Sequence, residues 1–181
     1  MKTVVSSLIL ALACLASTTA LAEKADRTRP IQIEADAVRM DDAKKSAVYE
    51  GNVMLSQGSL SIAADRIEVH QDDQGMARGE ATGQPVHFRQ KLEGREEYLD
   101  ARAKRVEYDA RSETMRLTGN AWISQGSDEL RGGVIVYDVR TERYQAQGAS
   151  EDNKQGRVRA MIRPRTEKPA EKPAPGTPAK P

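Results

Sequence analysis

Gly51-Asn52-Val53-Met54-Leu55-Ser56-Gln57-Gly58-Ser59 is written a second time, with most residues kept, as Gly119-Asn120-Ala121-Trp122-Ile123-Ser124-Gln125-Gly126-Ser127, 68 residues further on. Gly-Asn and Gln-Gly are turn chemistry, because Gly and Asn tolerate positive φ, and the residues between them have strand length. The unit therefore reads as a strand between two turns. The same offset aligns much more of the chain. Ile31, Ile33 and Ala35 match Leu99, Ala101 and Ala103 at period two, after which both copies change phase, to Val38 and Met40 in one and to Val106 and Tyr108 in the other. Strand side chains alternate faces, so a shared phase slip is the mark of one inserted residue, a β-bulge, in each copy. It recurs where Ile62 and Ala64 give way to Ile67 and Val69, and Leu130 and Gly132 to Ile135 and Tyr137. Residues 31–69 and 99–137 read as two copies of a strand-turn-strand-turn-strand module.

The flanks differ from this body. Lys2, an apolar run from Val4 to Ala16 and the small-residue site Ala20-Leu21-Ala22 predict a signal peptide over 1–22, cleaved after Ala22. The run falls short of the roughly 20 residues that a spanning helix needs. Cys14, the only cysteine, lies within it, and Ala11 stands where a lipoprotein signal would place Leu. The mature chain then has neither disulfides nor thiol chemistry. Six of the eight prolines fall in 163–181, which reads as a disordered Pro/Lys-rich tail. Between the two lies 23–162, the length of one ordinary domain.

Without Lys2 the chain carries 27 basic and 27 acidic residues, a balance that argues against a nucleic-acid partner. Charged residues make up 30% and aromatics only 4%, fewer large side chains than a closed β-core of this size normally uses. The inner surface is therefore expected to be only partly self-filled. Turn signals every 8–12 residues predict an all-β, antiparallel, sandwich-like or roll-like fold. A helix over Tyr98–Tyr108 would fit the spacing of Leu99, Ala103 and Val106, but its repeat partner Ile31–Met40 has a β-branched start and period-two phase, so both read as strands. Pro85-Val86-His87-Phe88-Arg89-Gln90 is predicted as a separate strand opened by its proline, and Val158, Ala160 and Ile162 share a face of the last one.

Enzymatic constellations are sparse, and the protein is expected not to be an enzyme. His70 and His87 each point away from their apolar strand neighbours. No zinc-type ligand spacing and no glycine-rich phosphate loop appears, and no cofactor is expected. Asp41 and Asp109, equivalent across the repeat, are the best carboxylate pair for a glycan hydrolase, but their place in turns fits side-chain-to-backbone bonding better.

Ile33-Glu34-Ala35-Asp36, Gly51-Asn52-Val53, Gln57-Gly58, Ile62 to Arg66, Gly83-Gln84-Pro85-Val86-His87-Phe88, Val106-Glu107-Tyr108-Asp109 and Leu117-Thr118-Gly119-Asn120-Ala121, in this order, resemble the OstA-like family of lipopolysaccharide transport. The resemblance covers about residues 30–148, with one departure at Leu130-Arg131-Gly132-Gly133, where the family often has an acidic residue after Gly. It implies a β-jellyroll, open along one side, that accepts the acyl chains of lipid A in the periplasm. It further implies head-to-tail stacking with copies of itself, with the inner-membrane LptC component and with the outer-membrane LptD component, in a bridge that serves outer-membrane assembly. A periplasmic structural or polysaccharide-binding β-module is the alternative, although exposed aromatics for sugar are scarce.

On that reading the lipid-binding groove is expected from the apolar faces at Ile31, Ile33, Val53, Leu55, Phe88, Val106, Tyr108, Leu117 and Ile123. Met54 and Trp122 fall on the opposite face. Ile31 to Ala35 begins the sheet and Val158 to Ile162 ends it, so each is expected to be an edge able to accept a neighbour's strand.

Overall fold

A computed structural model describes residues 29–73, 75–92, 94–149 and 156–164. The signal peptide expected over 1–22 and all but the first two residues of the tail expected over 163–181 lie outside the described residues. The strands are β1 (Gln32–Glu34), β2 (Ala37–Asp41), β3 (Ser46–Gln57), β4 (Leu60–Asp72), β5 (Gly75–Lys91), β6 (Tyr98–Asp109), β7 (Thr114–Gln125), β8 (Asp128–Asp138), β9 (Arg143–Gln147) and β10 (Arg159–Met161). They form one open antiparallel sheet in which β3 to β8 pair in chain order. β1 and β2 both pair with β3 and make one broken edge strand, as β9 and β10 do against β8.

The repeat is carried into the hydrogen-bonded register. Ser46 faces His70 between β3 and β4, and Thr114 faces Asp138 between β7 and β8, each residue 68 positions from its counterpart. Positive φ recurs at the same offset in Gly51 and Gly119, Asn52 and Asn120, Gly58 and Gly126, and Lys45 and Glu113. The duplicated module is thus a duplicated backbone, and Tyr98–Asp109 is a strand, as its repeat partner requires.

Every interior ladder breaks register at the same level: Glu50/Val53 in β3, Ala63/Arg66 in β4, Thr82/Val86 in β5, Arg102/Arg105 in β6 and Thr118/Ala121 in β7. A bulge bends its strand, so a line of bulges folds the whole sheet along one crease. Each long strand crosses the crease and contributes to both arms of a jellyroll-like wrap. Two readings change here. Gly51-Asn52 and Gly119-Asn120 lie inside continuous strands as bulges rather than as turns, because a bulge demands the same positive φ that a turn does. Pro85 does not open a strand either. It follows a cis bond within the unbroken β5, at the crease, where no ladder donor is needed.

On each arm the inward side chains line up across the strands. Val38, Tyr49, Ile67, Ala81, Val106, Leu117, Ile135 and Ala146 stand opposite one another in one row. Ile33, Leu55, Ile62, Phe88, Ala101, Ile123, Leu130 and Ala160 form the matching row of the other arm. Folding along the crease joins the two rows, apart from their exposed end residues Val38 and Ala160, in a single apolar core. No polar or charged residue is buried among the described residues.

The crease is pinned differently in the two modules. At Gly51 an added Cβ would overlap the Asp36 carboxylate, which accepts a hydrogen bond from Asn52 Nδ2 at 2.8 Å, and Asp36 N–H donates to Gly51 O at 3.0 Å. At Gly119 the corresponding Cβ would meet the aliphatic part of Lys104 at 3.0 Å. Both positions have positive φ, which costs an L-residue about 1–2 kcal/mol. Gly51→Ala is therefore expected to lower the urea midpoint more than Gly119→Ala, since it also displaces the Asp36–Asn52 bond. Equal losses would show that only backbone strain matters there.

Candidate functional site

Where the arms part, an apolar trough of about 270 Å³ remains unfilled. Ile31, Leu55, Leu60, Ile62, Phe88 and Leu99 line it from one arm, and Ile67, Val69, Met76, Gly79, Ala81, Val106, Tyr108, Met115, Tyr137 and Val139 from the other. Gln57, Glu80 and Gln90 stand among the lining residues as well. Among the described residues no polar or charged side chain is fully buried and no buried polar atom lacks a partner, so what the trough offers is mainly aliphatic and aromatic carbon.

Of the nine groove residues expected from the alternation, Ile31, Leu55, Phe88, Val106 and Tyr108 line the trough. Val53 and Leu117 are 0% exposed and Ile123 2%, and these three pack in the core behind it, while Ile33 packs against the core from the edge strand. Alternation reports which face a side chain is on, not how deep it lies on that face. Leu60, Ile62, Ile67, Val69 and Leu99 are lining residues that the sequence reading did not select. The signal for them was present in the same period-two pattern that marked Ile62 and Val69 in the repeat.

Near β9 the two arms are tied together. The Tyr137 and Tyr144 rings stack with centroids 4.6 Å apart and planes at 18°, and Tyr144 Oη donates to Gln125 Oε1 on the opposite arm at 2.8 Å. Arg95, in the β5–β6 turn, reaches Glu142 in the β8–β9 turn with Nη2 at 2.9 and 3.3 Å from the two carboxylate oxygens. Burial raises the pKa of both tyrosines above the usual phenol value.

The outer face is polar. Met54 is 47% exposed, and Trp122 donates to Glu129 Oε2 at 3.1 Å with the Arg102 guanidinium 5.0 Å above its ring. Two outer concavities of about 480 and 460 Å³ are larger than the trough, and there Trp122 shares the border with Arg102, Lys104, Arg131, Arg157 and Arg159, cations that an acyl chain would strip of water. His70 bonds Glu68 at 2.9 Å and is exposed, as is His87.

Asp41 and Asp109 serve the hairpin turns. Asp109 Oδ1 accepts from Arg111 N at 3.0 Å, Ser112 N at 2.9 Å and Ser112 Oγ at 3.0 Å, and Asp41 Oδ1 accepts from Lys44 N at 3.0 Å. The Lys44 amide and ammonium hold the Asp41 carboxyl below its ordinary pKa, and the Ser112 amide and hydroxyl do the same for Asp109. A general acid needs the opposite shift. Among the described residues no group of three or more His, Cys, Asp or Glu is placed to hold a metal ion, and no helix is long and apolar enough to cross a membrane.

Residues 32–143 match the family described as "LptA/(LptD N-terminal domain) LPS transport protein". The lipopolysaccharide export system protein LptA of Haemophilus influenzae is 34% identical over 87% of this chain and 90% of its own length. The corresponding protein LptH of Pseudomonas aeruginosa is 28% identical over 84% of this chain and 90% of its own. The crystal structure of LptH, described as the LptA-homologous periplasmic component of the lipopolysaccharide transport device, superposes with a TM-score of 0.70 at 26% identity, covering 77% of this chain and 99% of that one.

Proposed function

Since the chain belongs to the LptA/(LptD N-terminal domain) family of lipopolysaccharide transport proteins, we propose that it carries lipopolysaccharide across the periplasm with the acyl chains of lipid A in the trough. The observation that carries this reading is a predominantly apolar, incompletely filled interior in a sheet whose outer face is charged. An acyl chain in water costs about 0.8 kcal/mol per exposed CH₂, so a lipid with several chains needs cover to cross an aqueous space. A lining of Leu, Ile, Val and Phe supplies that cover without a bond that must be broken for the cargo to advance. The role asks for no catalytic group, and the turn carboxylates Asp41 and Asp109 are taken up by backbone bonds.

The sheet edges support a bridge of several molecules. β1 and β10 are short and each pairs on one side only, and Ile31, Val158, Met161 and Ile162, on or beside them, are exposed. Strand addition at such edges would stack copies head to tail and would join the LptC component at the inner membrane and the LptD component at the outer membrane. A signal peptide over 1–22 would deliver the chain to the periplasm.

The test is photo-crosslinking in a Gram-negative periplasm, with the reactive residue at Leu60, Phe88 or Tyr108 in the trough, or at Arg116 on the outer face. Lipopolysaccharide adducts are expected at the three trough positions and not at Arg116. Failure at all three, or equal yield at Arg116, would overturn the reading, and adducts to polysaccharide alone would favour a sugar-binding module. For the stacking, sedimentation is expected to show oligomers that grow with concentration, and a monomer at all concentrations would contradict it.

A further inference from the structure

Given the acyl-binding trough proposed above, we infer that Tyr144 sets how far along it an acyl chain reaches. The duplication supplies the comparison. β5 pairs with β4 in the first module as β9 pairs with β8 in the second. Val69 faces Gly79, Tyr137 faces Tyr144, and Val69 and Tyr137 are equivalent at the 68-residue offset. The neighbouring pairs agree, with Ile67 facing Ala81 and Ile135 facing Ala146. Tyr144 thus occupies the place that Gly79 holds in the first module.

The consequence is visible in the space between the arms. Gly79 has no side chain and borders the trough. Tyr144 stacks on Tyr137, the lining residue at that end, and spans to Gln125, the repeat counterpart of Gln57. The same place in the scaffold is open beside Val69 in one module and filled by a ring beside Tyr137 in the other. Tyr144 positions the Tyr137 ring as an end wall, and a chain long enough to meet that wall gains nothing from further methylenes.

Binding of fatty acids of graded chain length to the purified protein, followed by competition with purified lipopolysaccharide, tests this. Each methylene sheltered, at about 0.8 kcal/mol, tightens binding about fourfold, and the wall appears as the length at which the gain stops. Tyr144→Gly is expected to move that length to longer chains, whereas Tyr144→Phe, which keeps the ring and loses the Gln125 bond, leaves it in place. Gly79→Tyr is expected to move it to shorter chains. A Cβ there would have only Met76 Sδ, at 4.0 Å, within reach, and the glycine has no positive φ, so a side chain can leave the backbone at Gly79 without strain, and Gly79→Tyr serves as a second test independent of Tyr144→Gly. An unmoved cutoff in folded Tyr144→Gly, or in Gly79→Tyr, overturns the inference while leaving the trough intact. If neither fatty acids nor lipopolysaccharide bind the unaltered protein, the proposed function fails and this inference with it.

Discussion

Leu117→Ala is expected to lower the free energy of unfolding by about 2–5 kcal/mol, the usual range for a buried leucine that leaves a cavity. Leu117 is 0% exposed, faces Val106 on one neighbouring strand and Ile135 on the other, and lies in the middle of the inward row that joins both modules. It does not line the trough, so its loss removes packing from the core and not from the cargo surface. A urea titration followed by tryptophan fluorescence would measure the change, since Trp122 is the only tryptophan and lies on the same strand. The fraction still folded is expected to bind lipid as before. A loss under 1 kcal/mol would mean that the sheet closes over the gap, contrary to a core held rigid by the crease.

Phe88→Glu is expected to do the reverse, cutting lipid capture at least tenfold with little change in stability. Phe88 is partly exposed and faces the trough, with Ile62 and Ala101 as cross-strand neighbours. In the empty protein the new carboxylate can reach water. With an acyl chain in place it would be buried without a partner, at a cost of several kcal/mol, or would have to take up a proton. Retention of lipopolysaccharide through gel filtration, compared at neutral and acid pH, separates these outcomes. Protonation below the carboxyl's raised pKa should restore part of the binding. Capture equal to that of the unaltered protein at neutral pH would place the acyl chains somewhere other than this trough.

The two variants mark what the sequence could and could not disclose. Leu117 and Phe88 follow the same alternation and read alike in one dimension. Their difference is depth, which depends on how the arms meet across the crease. The crease itself was legible as the phase slips after Ala35, Ala64, Ala103 and Gly132, because an inserted residue reverses facing whatever else the chain does. Gly51-Asn52 and Gly119-Asn120 were legible as positive-φ sites but not as bulges, since turn and bulge make the same demand on the residue. The Tyr144–Gly79 equivalence was hidden. Val69 and its partner Gly79 are ten residues apart, with a further irregularity at His70/Gln71, whereas Tyr137 and Tyr144 are seven apart, so the 68-residue offset that organises the rest of the repeat no longer aligns the two strands.

Transport by this route requires a folded, charged-surfaced sheet to keep an unfilled apolar interior for the fatty chains of a glycolipid. The most direct measurement is organic extraction of the protein, purified gently from a Gram-negative periplasm, followed by mass spectrometry of what is released. Lipid A species bearing their acyl chains are expected, depleted when Phe88→Glu is purified in the same way. Recovery of sugar without acyl chains, or of no lipid from a preparation whose trough has never met detergent, would contradict it.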